Sequence, residues 1–181
     1  MPITPDERDW TFVLERPCPE CGFDAATLST ADVAPRVRES ATTWRALLAH
    51  RDAARRPSED RWSALEYACH LRDVYRLFDE RLALMRREAR PRFAGWDQDA
   101  AAVEGRYRAQ DPAHVAAELA DAAGALAASF EAVAEDEWAR TGVRDDGARF
   151  TVATFARYLV HEVVHHALDA EQGYATLAGR P

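Results

Sequence analysis

Four long stretches of this chain repeat their apolar residues at helical spacing, and that pattern constrains the fold more than any other feature. The first runs from about Asp32 to Asp52 with Val33, Val37, Ala41, Trp44 and Leu48 on one face. Pro35 falls in its first turn, where a missing N–H is harmless. The second begins at Ser63, whose partner Glu66 completes a capping-box pattern, and runs to about Arg90, before Pro91. Its face carries Tyr67, Leu71, Val74, Phe78, Leu82 and Met85. The third opens with Asp111 as N-cap and Pro112 at the first helical position, then Val115, Leu119, Ala122, Leu126, Phe130 and Val133. The fourth enters near Thr151, passes through Phe155, Leu159, Val163 and Ala167, and is read as ending at Gly173. Almost nothing reads as strand. Four amphipathic helices of about five turns each predict an all-α, four-helix bundle.

The connections refine this. Arg56 to Trp62 is a short link that suits antiparallel neighbours. Pro91 to Gln110 is longer than a simple turn requires, so it can cross the bundle and leave the second and third helices parallel, or fold over a site. Asp136 to Phe150, rich in Gly, Asp and Arg, is a second candidate rim. Residues 1–30 read as an irregular N-terminal arm and 31–181 as the bundle.

Composition excludes several functions. The net charge is −8 and all 23 basic residues are Arg, so no basic stripe offers itself to a phosphate backbone. No window has the roughly 18 unbroken apolar residues of a membrane helix. Met1 to Trp10 is polar and acidic, unlike a secretory signal or a transit peptide. Three cysteines are too few for a disulfide scaffold. A cytoplasmic protein without nucleic-acid or membrane partners is expected.

The chemistry concentrates in histidines. His161 and His165 are one helical turn apart, about 40° around the axis, so both imidazoles can reach one ion. His166 points roughly 140° from His161 and should not share it. His70 interrupts the apolar face of the second helix, and a buried imidazole needs something to satisfy its nitrogens. A hydrogen-bonded core histidine is the bland explanation. With a His pair on another helix, a three-His metal site with an open position becomes the better one. His50 and His114 read as surface residues. The string His161-Glu162-x-x-His165 also matches the zinc-peptidase motif, with Glu162 as base. The few residues after His165 and the absence of a strand to hold a peptide argue against that reading, and Glu162 reads as a solvated face residue.

Trp62-Ser63-x-x-Glu66-x-x-x-His70-Leu71, followed by His161-x-x-x-His165, resembles the DinB/YfiT-like superfamily over about residues 32–173. Trp138, Gly142, Phe150 and Thr151 also fit its pattern. The resemblance implies an up-down-down-up bundle with a long crossover after the second helix, and a zinc or nickel ion held by His70, His161 and His165. Relatives include thiol-dependent S-transferases and the mycothiol-dependent maleylpyruvate isomerase, in which the metal activates a low-molecular-weight thiol. The implied partners are a small thiol and an electrophile, and relatives are often homodimers. Alanine, at roughly a fifth of the chain, and the exclusive use of Arg resemble actinobacterial proteins, which makes mycothiol the first choice of thiol. A non-catalytic metal-binding or stress-response interaction module is the alternative, with a zinc hydrolase behind it.

Arg157 and Tyr158 lie one turn before His161 and are candidate substrate contacts; an ion-paired or solvated arginine is the plainer role for Arg157. Finally, Cys18-Pro19-Glu20-Cys21-Gly22 is a knuckle of the zinc-ribbon type. Cys69 sits about 100° from His70 and should not bind the same ion. The knuckle reads first as a turn docking the arm, the other options being a half-site completed by histidine or a second subunit, or a redox pair. Trp10, Phe12 and Phe23 give the arm apolar groups for docking.

Overall fold

The computed structural model describes residues 8–179, so most of the reading of the polar N-terminus falls on residues 1–7, outside them. Among the described residues five α-helices form: α1 Val33–Leu48, α2 Ala64–Arg87, α3 Gln98–Glu104, α4 Pro112–Glu131 and α5 Val152–Ala178. α1, α2, α4 and α5 are the bundle. None of the described helices is long and apolar enough to cross a membrane.

Local chemistry starts each helix where expected. The Ser63 hydroxyl accepts the Glu66 amide while the Glu66 carboxylate accepts the Ser63 amide at 2.9 Å. Asp111 accepts the His114 amide at 2.8 Å ahead of Pro112. Thr151 caps α5 through the Thr154 amide at 3.0 Å. The ends differ more. α1 stops at Leu48 and α2 at Arg87, and Arg90 takes a left-handed conformation before Pro91. α5 does not end at Gly173; it continues to Ala178. Gly173 is buried inside the helix beside Pro57 of the α1–α2 link, where a Cβ would make an ordinary contact at 3.5 Å, so it does not terminate the helix.

Side-chain contacts set the helix directions. Arg38 near the start of α1 pairs with Glu131 at the end of α4, so these two run antiparallel. Arg72 pairs with Glu118, and Arg86 donates to the Ala132 carbonyl, so α2 and α4 run parallel. Phe78 stacks on Phe155 while Arg61 reaches Asp169, so α5 opposes α2. The order is up-down-down-up. α1 packs chiefly on α4 and α5, and so does α2. α1 and α2 therefore face each other across the diagonal instead of lying as adjacent neighbours, joined by a 2.5 Å bond between Ser40 Oγ and the Tyr75 hydroxyl. The shared core holds Trp44, Tyr75, Leu82, Leu119, Leu126 and Phe155.

The sequence pattern shows no strands, yet a small sheet closes one end. β1 (Arg92–Phe93) pairs parallel with β2 (Thr141–Arg144), which pairs antiparallel with β3 (Arg149–Thr151). Strands of two to four residues are too short to show a period of two, and here tertiary packing makes them. Gly142 is required at the centre, because a Cβ would lie 2.8 Å from Phe93 Cε1. The crossover between α2 and α4 holds β1 and α3, whose Asp97 cap accepts the Asp99 and Ala100 amides.

Candidate metal centre

α5 presents two interleaved pairs of ligating residues, one residue out of register with each other. Their directions differ by about 100°, enough to face different parts of the structure. His161 and His165 converge with Cys18 and Cys21 of the arm, one ligand atom from each lying within 4.8 Å of the others. Glu162 and His166 converge with His70 of α2 by the same measure. The three histidines expected to share an ion are thus divided: His70 does not join His161 and His165 in either group.

His70 is 2% exposed, and neither ring nitrogen has a hydrogen-bond partner among the described residues. Its ring stacks on Trp96, and its Nε2 lies 3.8 Å from Glu162 Oε2, outside hydrogen-bonding range. The same carboxylate oxygen is 3.1 Å from His166 Nε2. On the far side of that ring, Nδ1 is 3.3 Å from Asp169 Oδ2. Glu162 is therefore no solvated face residue.

Electrostatics follow from this packing. Burial raises the carboxyl pKa of Glu162, but His166 and His70 outweigh it and hold the group well below the carboxylate range. Burial likewise lowers His166, yet Asp169 and Glu162 overcome it and push it up to about 9. Burial keeps His70 neutral and lowers His161 to about 4. Cys21 is pushed up to about 11, by burial first.

The residues present fit a divalent ion at His70, Glu162 and His166. Two imidazoles and a carboxylate are the donor set of an open, catalytic-type zinc site, and the two orphaned nitrogens of His70 otherwise represent an unrecovered desolvation cost. Asp169 on His166 Nδ1 is the outer carboxylate that orients a ligating imidazole.

Two cavities meet here. One of about 320 Å³ is lined by Trp10, Trp96, Asp99, Tyr158, Glu162 and both His165 and His166. The other, about 110 Å³, runs between His70, Phe78, Arg81, Arg144, Phe150 and Tyr158, and shares Glu162 and Trp96 with the first. Trp96 to Asp99 come from the crossover, which covers the site as well as leaving α2 and α4 parallel. Tyr158 lines both cavities. Arg157 lines neither; its Nε donates to the Leu28 carbonyl at 3.3 Å, anchoring the arm. Cys69 is buried away from both ligand groups, with Sγ 3.9 Å from the Tyr107 carbonyl.

Asp169 and Arg81 were not picked out from the sequence, and Glu162 and His166 were weighed there without being placed as ligands. One signal was present: α5 carries two i, i+4 pairs, and only the pair facing α2 can meet His70.

This is a four-helix bundle built around a metal-type ligand set contributed by its second and last long helices. The chain belongs to the DinB superfamily, whose family pattern matches residues 36–170. Its fold is similar to that of YfiT from Bacillus subtilis, described as "a probable metal-dependent hydrolase with an unusual four-helix bundle topology", with a TM-score of 0.74 at 16% identity, covering 84% of this chain and 91% of that one. No curated protein matches the sequence.

Proposed function

We propose that this protein is a divalent-metal-dependent transferase that passes a low-molecular-weight thiol, mycothiol first among candidates, to a small electrophile bearing a carboxylate. His70, Glu162 and His166 would hold the ion, zinc or nickel. The observation that carries this reading is the buried, unpartnered imidazole of His70 set against Glu162 where the two cavities meet. A divalent ion bound there supplies the charge that takes a thiol from a pKa near 8.5 to a thiolate at neutral pH.

The chain's own residues supply the rest. The larger cavity has room for the polar body of a thiol cofactor, with Asp97, Gln98 and Asp99 at its edge. The smaller one is walled by Phe78, Phe93, Phe150 and Tyr158 and suits a flat apolar substrate. Arg81 projects into it from α2, with one terminal nitrogen on the Ala94 carbonyl at 2.6 Å and its Nε without a partner among the described residues. A guanidinium held this way is a ready carboxylate donor.

Hydrolysis is the second reading, favoured by Asp99. Its carboxylate lies at the cavity edge, where burial, then neighbouring Asp97, raises its pKa.

The test is a turnover assay of the purified chain with mycothiol and carboxylated electrophiles, beside His70→Ala and His166→Ala variants. Thiol consumption matched by thioether formation, lost together with one metal equivalent in both variants, is the expected result. Substrate loss without thiol consumption would establish the hydrolase, and full metal content in both variants would overturn the ligand assignment.

A further inference from the structure

We infer that the protein holds a second, structural zinc ion, bound by Cys18, Cys21, His161 and His165, which staples the N-terminal arm to α5. This site is separate from the one at His70 and stands whether or not that one is catalytic. Both cysteines lie outside the residues that match the family pattern.

The arm is folded into a metal-binding knuckle. The Cys18 amide donates to the Phe23 carbonyl and the Gly22 amide to the Cys18 carbonyl, both at 2.9 Å. Gly22 takes a left-handed φ of 72°, which lets the chain reverse within the motif. The two sulfurs are then presented to the turn of α5 that carries His161 and His165.

Spacing and chemistry both suit zinc. Tetrahedral Zn–S and Zn–N bonds imply ligand–ligand separations of about 3.3 to 3.8 Å. The Cys18 sulfur is 3.7 Å from His165 Nδ1, and all four ligand atoms lie within 4.8 Å of one another. His161 is 2% exposed with both ring nitrogens lacking hydrogen-bond partners among the described residues, a second buried imidazole that the site at His70 does not explain. His165 turns Nδ1 toward the cysteine, while its Nε2 faces carboxylates of Glu20 at 3.5 Å and Asp169 at 3.7 Å, the arrangement found behind ligating imidazoles. Two thiolates, two neutral imidazoles and Zn²⁺ sum to zero charge, which suits a centre where Cys18 is 1% exposed. Each thiol gives its proton to solvent as the ion enters, and no redox change is involved. Four protein ligands close the coordination shell, so this ion has a structural role.

The staple also shapes the neighbouring site. Trp10 rests on the His161 and His165 rings at centroid distances of 5.3 and 4.7 Å and forms one wall of the larger cavity. Holding the arm therefore holds that wall.

Cobalt substitution reads this site without any turnover assay. The full chain is stripped by chelator under reducing conditions and titrated with Co²⁺. The wild-type protein should develop a thiolate-to-cobalt charge-transfer band together with tetrahedral ligand-field bands. Cys21→Ser should lose the charge-transfer intensity and one of two zinc equivalents, while His70→Ala should keep the band. Cobalt uptake by the wild type with no sulfur band would overturn the assignment even if the cysteine variant failed to fold. So would Cys21→Ser retaining wild-type zinc content with unchanged circular dichroism, or a metal-free wild type carrying a Cys18–Cys21 disulfide after aerobic purification.

Discussion

Asp169 Oδ2 lies 3.3 Å from His166 Nδ1, on the side of the ring opposite Glu162. The same oxygen is 3.7 Å from His165 Nε2. One carboxylate thus backs an imidazole in each ligand group and fixes which nitrogen of each ring faces its cluster.

Asp169→Asn should weaken metal binding about 10- to 100-fold at both groups, because a neutral amide is a poorer partner for a ligating imidazole. Competition with a chromophoric chelator measures this. Unchanged affinity at both would show that Asp169 only pairs with Arg61 and the histidines.

In metal-free protein, stability should peak near pH 6.5. His166 has its pKa raised from 6.5 to about 9, so its contribution is complete below about 6.5 and is lost as pH rises through 9. His161 has its pKa lowered to about 4, so its contribution is complete above 6.5 and is lost as pH falls toward 4. Each limb is on the order of 3 kcal/mol. Urea midpoints in chelator at pH 5, 6.5 and 9 check the shape, and His166→Gln should flatten the alkaline limb.

Arg81→Leu should raise KM for a carboxylated electrophile about 10- to 100-fold, the worth of a charge-assisted hydrogen bond, while metal content stays the same. An equal effect on an uncharged electrophile would assign Arg81 to packing under β1, where it sits over the Phe93 ring.

Gly142→Ala should cost about 1–3 kcal/mol, since the new methyl would lie 2.8 Å from Phe93 and 3.0 Å from Met85 in a closed sheet. Thermal unfolding measures it. A neutral result would mean the end sheet yields easily.

The helices were legible because their signals are local. Ser63 with Glu66, Asp111 with Pro112, and Thr151 each mark a start through groups within one turn. Gly173 misled because α5 runs on past it and packs it beside Pro57, a neighbour set by the fold and not by local sequence. β1 pairs with β2 across some fifty residues of chain and leaves no periodic trace in two positions. For the site, residue types were readable but partners were not. His70, His161 and His165 are all buried, yet a one-residue step along α5 decides which histidine meets α2 and which meets the arm. Periodicity describes a helix's faces without saying what each face touches.

The docked arm, anchored by a few buried side chains, has a consequence for where this protein begins as a cooperative unit. Leu28 belongs to the same core as the bundle, Leu14 and Phe23 pack against that core, and Arg157 holds the Leu28 carbonyl. A fragment cut at residue 31 would keep all four long helices and strip Trp10 and Phe23 from the His161 ring on α5. Kinship in sequence starts at residue 36, but the cooperative unit begins well before it.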